Sequence, residues 1–106
     1  MTDGYILVLV TTASKSEAEK IAQHLLDAKL IACGNIIGPI TSLFRWSGKI
    51  ERAEEYLTIM KTRQELFRMV EEEIKTLHSY EVPEILAIPI IEGSNAYLKW
   101  LQSCLV

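Results

Sequence analysis

The segment that follows the second predicted helix carries a histidine and two carboxylates within seven residues. It reads Leu-His-Ser-Tyr-Glu-Val-Pro-Glu over residues 77–84, with His78 directly after the helix. Imidazole can bind a metal ion or transfer a proton near neutral pH. A histidine at a helix C-terminus also interacts favourably with the helix dipole, without any ligand. Both interpretations of His78 stay open at this point, a metal or cleft role and a purely structural one.

A lysine ends the apolar stretch of the longest predicted strand. Lys61 follows Tyr-Leu-Thr-Ile-Met at 56–60 and shares a strand face with Leu57 and Ile59. It is either an exposed strand end, or it pairs with a carboxylate such as Glu84 or receives an anion. The second interpretation arises because an unpaired buried ammonium group is costly.

Two tryptophans and two cysteines offer further chemistry. Trp46 and Trp100 can stack on a ligand, although burial at a subunit interface is the commoner use. Cys33 lies in an apolar strand, where cysteine is most often a small core residue, and a metal or redox role is the alternative. The sequence holds no C-x-x-C, H-x-x-x-H or G-x-G-x-x-G pattern, so we expect neither a closed zinc site within one chain nor a phosphate cradle.

The composition excludes several classes of protein. The 106 residues are 49% hydrophobic and form one expected domain, 1–106, which excludes intrinsic disorder. The net charge of −3 argues against nucleic-acid binding, which requires a basic surface. No apolar run approaches the roughly 18 residues of a membrane span. Without an export signal, we expect a cytoplasmic chain with reduced thiols.

Hydrophobic periodicity places the candidate residues on an alternation of strands and helices. Two patterns of Ser/Thr-x-x-Glu type, at 14–17 and 62–65, predict capping boxes that open helices. The predicted strands are Tyr5–Val10, Leu30–Ile37 continuing as Thr41–Trp46 past a bulge or bend at Gly38-Pro39, Lys49–Thr62 and Ile85–Ile91. A short last helix follows Gly93-Ser94. This order predicts an α+β, ferredoxin-like βαββαβ fold with one antiparallel sheet and an extra C-terminal helix.

The central hairpin is too long for its own domain. The strand at 49–62 spans about 46 Å at roughly 3.3 Å per residue. A compact domain of this size is only about 33 Å across. The hairpin therefore overhangs the domain and leaves its apolar residues without cover: Ile40, Leu43, Phe44, Trp46, Ile50, Tyr56 and Leu57. Uncovered apolar surface on an exposed edge predicts a symmetric oligomer.

Blocks along the whole chain resemble the CutA divalent-cation tolerance family. They are Leu-Ile-Ala-Cys-Gly-Asn-Ile at 30–36, Ser-Leu-Phe-Arg-Trp-Ser-Gly-Lys-Ile at 42–50, Lys-Thr at 61–62, His-Ser-Tyr-Glu-Val-Pro-Glu-Ile at 78–85 and Tyr-Leu-Lys-Trp-Leu at 97–101. The resemblance implies a cytoplasmic homotrimer with long hairpins wrapping neighbouring subunits, similar in architecture to the PII signalling proteins. It further implies a role in tolerance of copper and other divalent metals, with no established catalytic reaction.

The resemblance also implies site residues. The copper ligands proposed in some members match Val10, Leu77 and His78 here, so only His78 keeps a metal-binding side chain. The family's inter-subunit cleft matches Lys61, Tyr80 and Glu84, to which we add Trp46 as a lining residue. Phe44 and Ser79 replace the family's usual tyrosine and proline.

These observations lead to one expected function and two alternatives. We expect a non-catalytic, PII-like homotrimer that weakly binds copper or another divalent cation, or a small anionic ligand, and binds neither nucleic acid nor membrane. The first alternative is an enzyme that uses Glu84 or His78 as a general base on a small anionic metabolite in the cleft. The second is an RNA-binding module, which shares this strand order but requires exposed aromatic residues and basic surroundings that residues 50–56 lack.

Overall fold

The computed structural model describes residues 4–106. Its elements are β1 (Tyr5–Thr12), α1 (Lys15–Asp27), β2 (Cys33–Trp46), β3 (Lys49–Arg63), a 3₁₀ turn (Gln64–Leu66), α2 (Phe67–Leu77), β4 (Ile85–Pro89) and α3 (Asn95–Ser103). The four strands form one antiparallel sheet in the order β2-β3-β1-β4. This arrangement confirms the predicted ferredoxin-like α+β fold. None of the helices in the described range combines the length and apolarity needed to cross a membrane.

The main core lies between the sheet and the helices α1 and α2. Alternate residues of β1 point into it, and Val8 and Met60, which are paired across β1 and β3, are fully buried. The other buried members of this core are Ile6, Val10, Ile21, Leu25, Leu30, Ile31, Leu66, Val70 and Ile74. Helix α3 packs on the opposite face of the sheet, where Tyr5 meets Leu98 and Leu101. The second face of β1 is covered near Tyr5, whereas Leu7 and Leu9 on the same face stay partly exposed, so the coverage of both faces that its continuous apolar sequence predicts is incomplete within one chain.

One of the two hydrogen bonds of the first predicted capping box is present. The Ser14 side chain accepts a hydrogen bond from the Glu17 amide at 3.2 Å, so Ser14 is the N-cap of α1. The Glu17 carboxylate does not return to the Ser14 amide. It instead accepts hydrogen bonds from Ser79, 62 positions along the chain.

The second predicted capping box is wrong. Thr62 is still part of β3, and its hydroxyl donates to the buried Leu30 carbonyl at 2.6 Å. The chain then forms the 3₁₀ turn, which has no side-chain cap, and α2 begins only at Phe67. Thr62 lies in a strand, five positions before the first residue of α2, so it is too far along the chain to act as the N-cap of that helix.

Other strand boundaries also differ from prediction, since β1 runs on to Thr12 instead of Val10 and β3 to Arg63 instead of Thr62. β2 begins at Cys33 instead of Leu30, because Leu30 and Ile31 leave the sheet to pack in the main core. It then continues to Trp46 with a register shift between Ile37 and Ile40, which confirms the bulge expected at Gly38-Pro39. β4 ends at Pro89 instead of Ile91.

The hairpin extends beyond the sheet as expected. β1 pairs with β3 only from Tyr56 to Arg63, so Lys49–Glu55 pairs with β2 alone. We call this two-stranded part, residues 40–55, the hairpin arm. Three of its large apolar side chains are uncovered, with Leu43 67% exposed, Trp46 57% and Ile50 72%, whereas Ile40, which was also predicted to lack cover, is only partly exposed. Tyr56 and Leu57, which were also predicted to lack cover, are only partly exposed because they lie beside β1.

Candidate functional site: an acidic, aromatic cleft

A cleft of about 430 Å³ opens where the hairpin arm leaves the body of the domain. One wall comes from the arm and the other from the segment between α2 and β4, residues 78–84. Its lining residues are Thr11, Phe44, Trp46, Glu51, Glu55, Tyr80, Glu81, Val82 and Glu84. The structure thus brings together three of the residues predicted from the sequence: Trp46, Tyr80 and Glu84.

The centre of the cleft is a hydrogen bond between Tyr80 and Glu55. The Tyr80 hydroxyl donates to Glu55 Oε2 at 2.7 Å, and Glu55 is only 6% exposed. Burial, reinforced by the hydrogen bond and the negative charge of Glu55, raises the pKa of Tyr80 to about 12. Tyr80 is therefore a neutral hydroxyl donor at physiological pH.

His78 holds Tyr80 in place. Its side chain is fully buried, Nδ1 accepts from the Tyr80 amide at 3.0 Å, and Nε2 lies 2.7 Å from the Thr11 carbonyl oxygen. Because a carbonyl oxygen can only accept, the ring carries its proton on Nε2 and donates it to Thr11. The His78 and Tyr80 rings also contact each other, with centroids 4.7 Å apart.

A carboxylate from α1 also forms hydrogen bonds with the segment at 78–84. Glu17 accepts from the Ser79 amide at 2.7 Å and from the Ser79 hydroxyl at 3.1 Å, and it lies 3.5 Å from His78 Nδ1. Sequence reasoning missed both Glu17 and Glu55. The sequence did contain an indication that Glu55 is buried, since it shares a strand face with the apolar Leu57 and Ile59. It contained none for Glu17, which matches the pattern of an ordinary capping residue.

Lys61 does not line this cleft, and its expected pairing with Glu84 is not formed. Its ammonium group donates to Asn35 Oδ1 and lies 3.7 Å from Cys33 Sγ. The cause is strand register, which places Cys33 directly opposite Lys61 on the neighbouring strand. Within one chain, Lys61 and this cleft are therefore separate features, and a cleft between subunits that includes Lys61 stays a prediction.

The residues around His78 do not fit a metal centre within one chain. Both ring nitrogens are engaged by backbone groups, Val10 is 1% exposed in the main core, and Leu77 packs against that core. Over residues 4–106, no group of three or more His, Cys, Asp or Glu side chains is arranged to hold a metal ion. The sequence allowed a metal-binding or a structural role for His78, and the geometry within one chain favours the structural role.

The charge of the cleft is negative. The lining includes the carboxylates of Glu51, Glu55, Glu81 and Glu84, while neither lysine nor arginine is among its described residues. Such a lining attracts cations and repels anions. The expected small anionic ligand therefore has no counter-charge here, because Lys61 lies elsewhere.

The fold and site define a small α+β domain with an overhanging hairpin and an acidic, aromatic cleft. The chain belongs to the CutA1 divalent ion tolerance protein family, whose profile matches residues 6–104. It is 50% identical over 95 residues to the divalent-cation tolerance protein CutA of Archaeoglobus fulgidus, covering 90% of this chain and 92% of that relative.

Solved structures agree with this membership. The Thermus thermophilus divalent cation tolerance protein superposes with a TM-score of 0.94 at 40% identity, covering 96% of this chain and 99% of that one. CutA1 from Oryza sativa superposes with a TM-score of 0.95 at 38% identity, covering 99% and 96%.

The expectation of a cytoplasmic location is corrected by these relatives. The A. fulgidus structure is described as that of a periplasmic protein, and the relative from Arabidopsis thaliana, of which the chain covers 54%, is named chloroplastic. Because one fold occurs in proteins assigned to different compartments, resemblance to the family carries no information on location.

Proposed function

We propose that this chain is a non-catalytic, PII-like homotrimer that contributes to divalent-cation tolerance through ligand binding in its cleft. The observation that carries the proposal is the combination of an uncovered apolar hairpin arm with a negatively charged cleft at its base. Contact with other copies of the chain covers the apolar arm, and a bound cation neutralises the negative charge of the cleft.

The case for a trimer rests on the arm. Leu43, Trp46 and Ile50 are more than half exposed on a two-stranded ribbon. Exposed apolar surface concentrated on one projection favours contact with another copy of the chain. Trimeric symmetry is the arrangement that the resemblance to the family implies.

The case for a cation rests on the cleft rim. Glu81 and Glu84 are exposed at its mouth. Two carboxylates with water as the remaining ligands bind divalent ions weakly, and copies of the chain that meet at the arm add further donors. Copper or another divalent cation therefore binds at the rim and not at His78.

A non-catalytic role fits the site better than the alternative enzyme. His78 has no free nitrogen to act as a base, and Tyr80 with its raised pKa holds its proton at neutral pH. The acidic lining also disfavours the anionic metabolite on which such an enzyme would act.

Light scattering with calorimetry tests the proposal. We expect three times the chain mass at micromolar concentration, and Leu43→Ala to weaken assembly by roughly 1–3 kcal/mol per subunit because an apolar side chain of the arm contact is lost. Leu26→Ala, which removes an exposed apolar side chain from α1, is the control and leaves assembly unchanged. A persistent monomer, or equal effects of the two variants, contradicts the trimer.

Calorimetric titration with Cu²⁺ tests the rim site. Weak Cu²⁺ binding that is reduced in Glu84→Gln, but not in the exposed control Glu92→Gln, supports this site. The same binding in both variants overturns it.

A further inference from the structure

We propose that the deep part of the cleft binds a small organic cation, an ammonium group on a short carbon skeleton, with Glu55 as its counter-charge. The inference deepens the proposed function at the same cleft, but it concerns the floor around Glu55 rather than the carboxylates at the rim.

The first step is the buried charge of Glu55. This side chain is 94% removed from solvent, and its hydrogen-bond donor is the neutral Tyr80 hydroxyl. Within residues 4–106 it forms no ion pair with lysine, arginine or histidine. A buried carboxylate without a cation is costly, so Glu55 favours any cation that reaches the floor of the cleft.

The second step is the aromatic lining. Phe44, Trp46 and Tyr80 border the same cavity, together with the apolar Val82. Aromatic faces attract ammonium and quaternary ammonium groups, most strongly when water is excluded. The cavity volume of about 430 Å³ lies within the range of small-molecule sites.

The third step separates an organic cation from a metal ion. A metal ion needs several oxygen, nitrogen or sulfur ligands at bonding distance, and beside Tyr80 the floor offers the single carboxylate of Glu55, in contrast to the two carboxylates at the rim. One carboxylate with surrounding aromatic rings provides charge and apolar contact instead of coordination. This combination suits an organic cation, in which the charged nitrogen is surrounded by carbon atoms.

Fluorescence titration of the assembled protein tests the inference. A Trp100→Phe background leaves Trp46 as the single tryptophan, because the chain has two. Choline is the probe, and 3,3-dimethyl-1-butanol is its uncharged counterpart of the same shape. We expect saturable quenching by choline at least tenfold tighter than by the alcohol, and at least a tenfold loss of choline affinity in Glu55→Gln. The control Glu92→Gln, an exposed carboxylate outside the cleft, leaves the affinity unchanged.

The outcomes are distinguishable from those of the proposed function. Equal binding of choline and the alcohol overturns the inference, and this comparison uses only the parent chain, so it holds even if Glu55→Gln fails to fold. Displacement of choline by an equal concentration of Mg²⁺ also overturns it. A trimer that binds Cu²⁺ at the rim but not choline leaves the proposed function intact and shows that something else, such as a neighbouring copy, fills the floor.

Discussion

Replacement of His78 by alanine separates a structural histidine from a metal ligand. The substitution removes the acceptor of the Tyr80 amide and the donor to the Thr11 carbonyl, and it empties the space of a fully buried ring. Each lost hydrogen bond is worth about 1 kcal/mol, and the cavity adds a similar amount or more. We therefore expect His78→Ala to lower the free energy of unfolding by about 2–4 kcal/mol.

The matched control is His24→Ala on the outer face of α1. His24 contacts Glu73 at 2.5 Å, but the two side chains are 43% and 41% exposed, so the loss is at most about 1 kcal/mol. Urea unfolding followed by circular dichroism measures both variants, at one fixed chain concentration because the proposed assembly would contribute to stability. Equal midpoints for the two variants would refute the structural role. A His78→Ala protein of undiminished stability that loses copper binding would restore the metal-ligand interpretation.

Two further predictions concern the arm and the cleft. A Cβ atom at Gly38 would overlap the Tyr56 ring, lying 2.9 Å from Cγ, so we expect Gly38→Ala to destabilise the protein by about 1–3 kcal/mol in the same urea assay. Adding Tyr56→Ala should remove this specific penalty, and an unaffected Gly38→Ala variant would show that the ring moves aside freely. The pKa of Tyr80 is raised to about 12 from its ordinary value near 10, so its contribution to stability is complete below pH 10 and disappears as the pH rises through 12. Ultraviolet titration should show one late-ionising tyrosine that Tyr80→Phe removes and Tyr97→Phe does not; an unchanged titration in Tyr80→Phe would contradict the assignment.

Periodic and local signals predicted most of the fold. Helix α1 follows from the spacing of Ala18, Ile21, Ala22 and Leu25, all of which are buried, and from the N-cap at Ser14. The length of the hairpin, its exposed apolar residues and the bulge near Pro39 also follow from the sequence. No local pattern placed Tyr80 and Glu84 in one cleft; the family resemblance suggested that pair, and Trp46 was added as a lining residue.

The errors share one physical cause, which is contact between residues far apart in the chain. The pattern at Thr62 is locally a capping box, but its hydroxyl is bonded to the Leu30 carbonyl across the fold. Lys61 is bonded to Asn35 because of cross-strand register, and Glu17 is bonded to Ser79. Short patterns predict which group can form a bond, whereas tertiary structure decides which partner it meets.

The hairpin arm implies that this chain completes its folding in two stages. The arm exchanges backbone hydrogen bonds only between its own two strands, whereas the body has four strands and three covering helices. An isolated two-stranded ribbon is marginally stable in water, so the arm opens at a lower free-energy cost than the body. In the proposed trimer, contact with neighbouring copies would supply the missing stability. We therefore expect the arm of a newly made chain to become fully ordered only when the concentration allows assembly, and until then to be more accessible to proteases than the body of the domain.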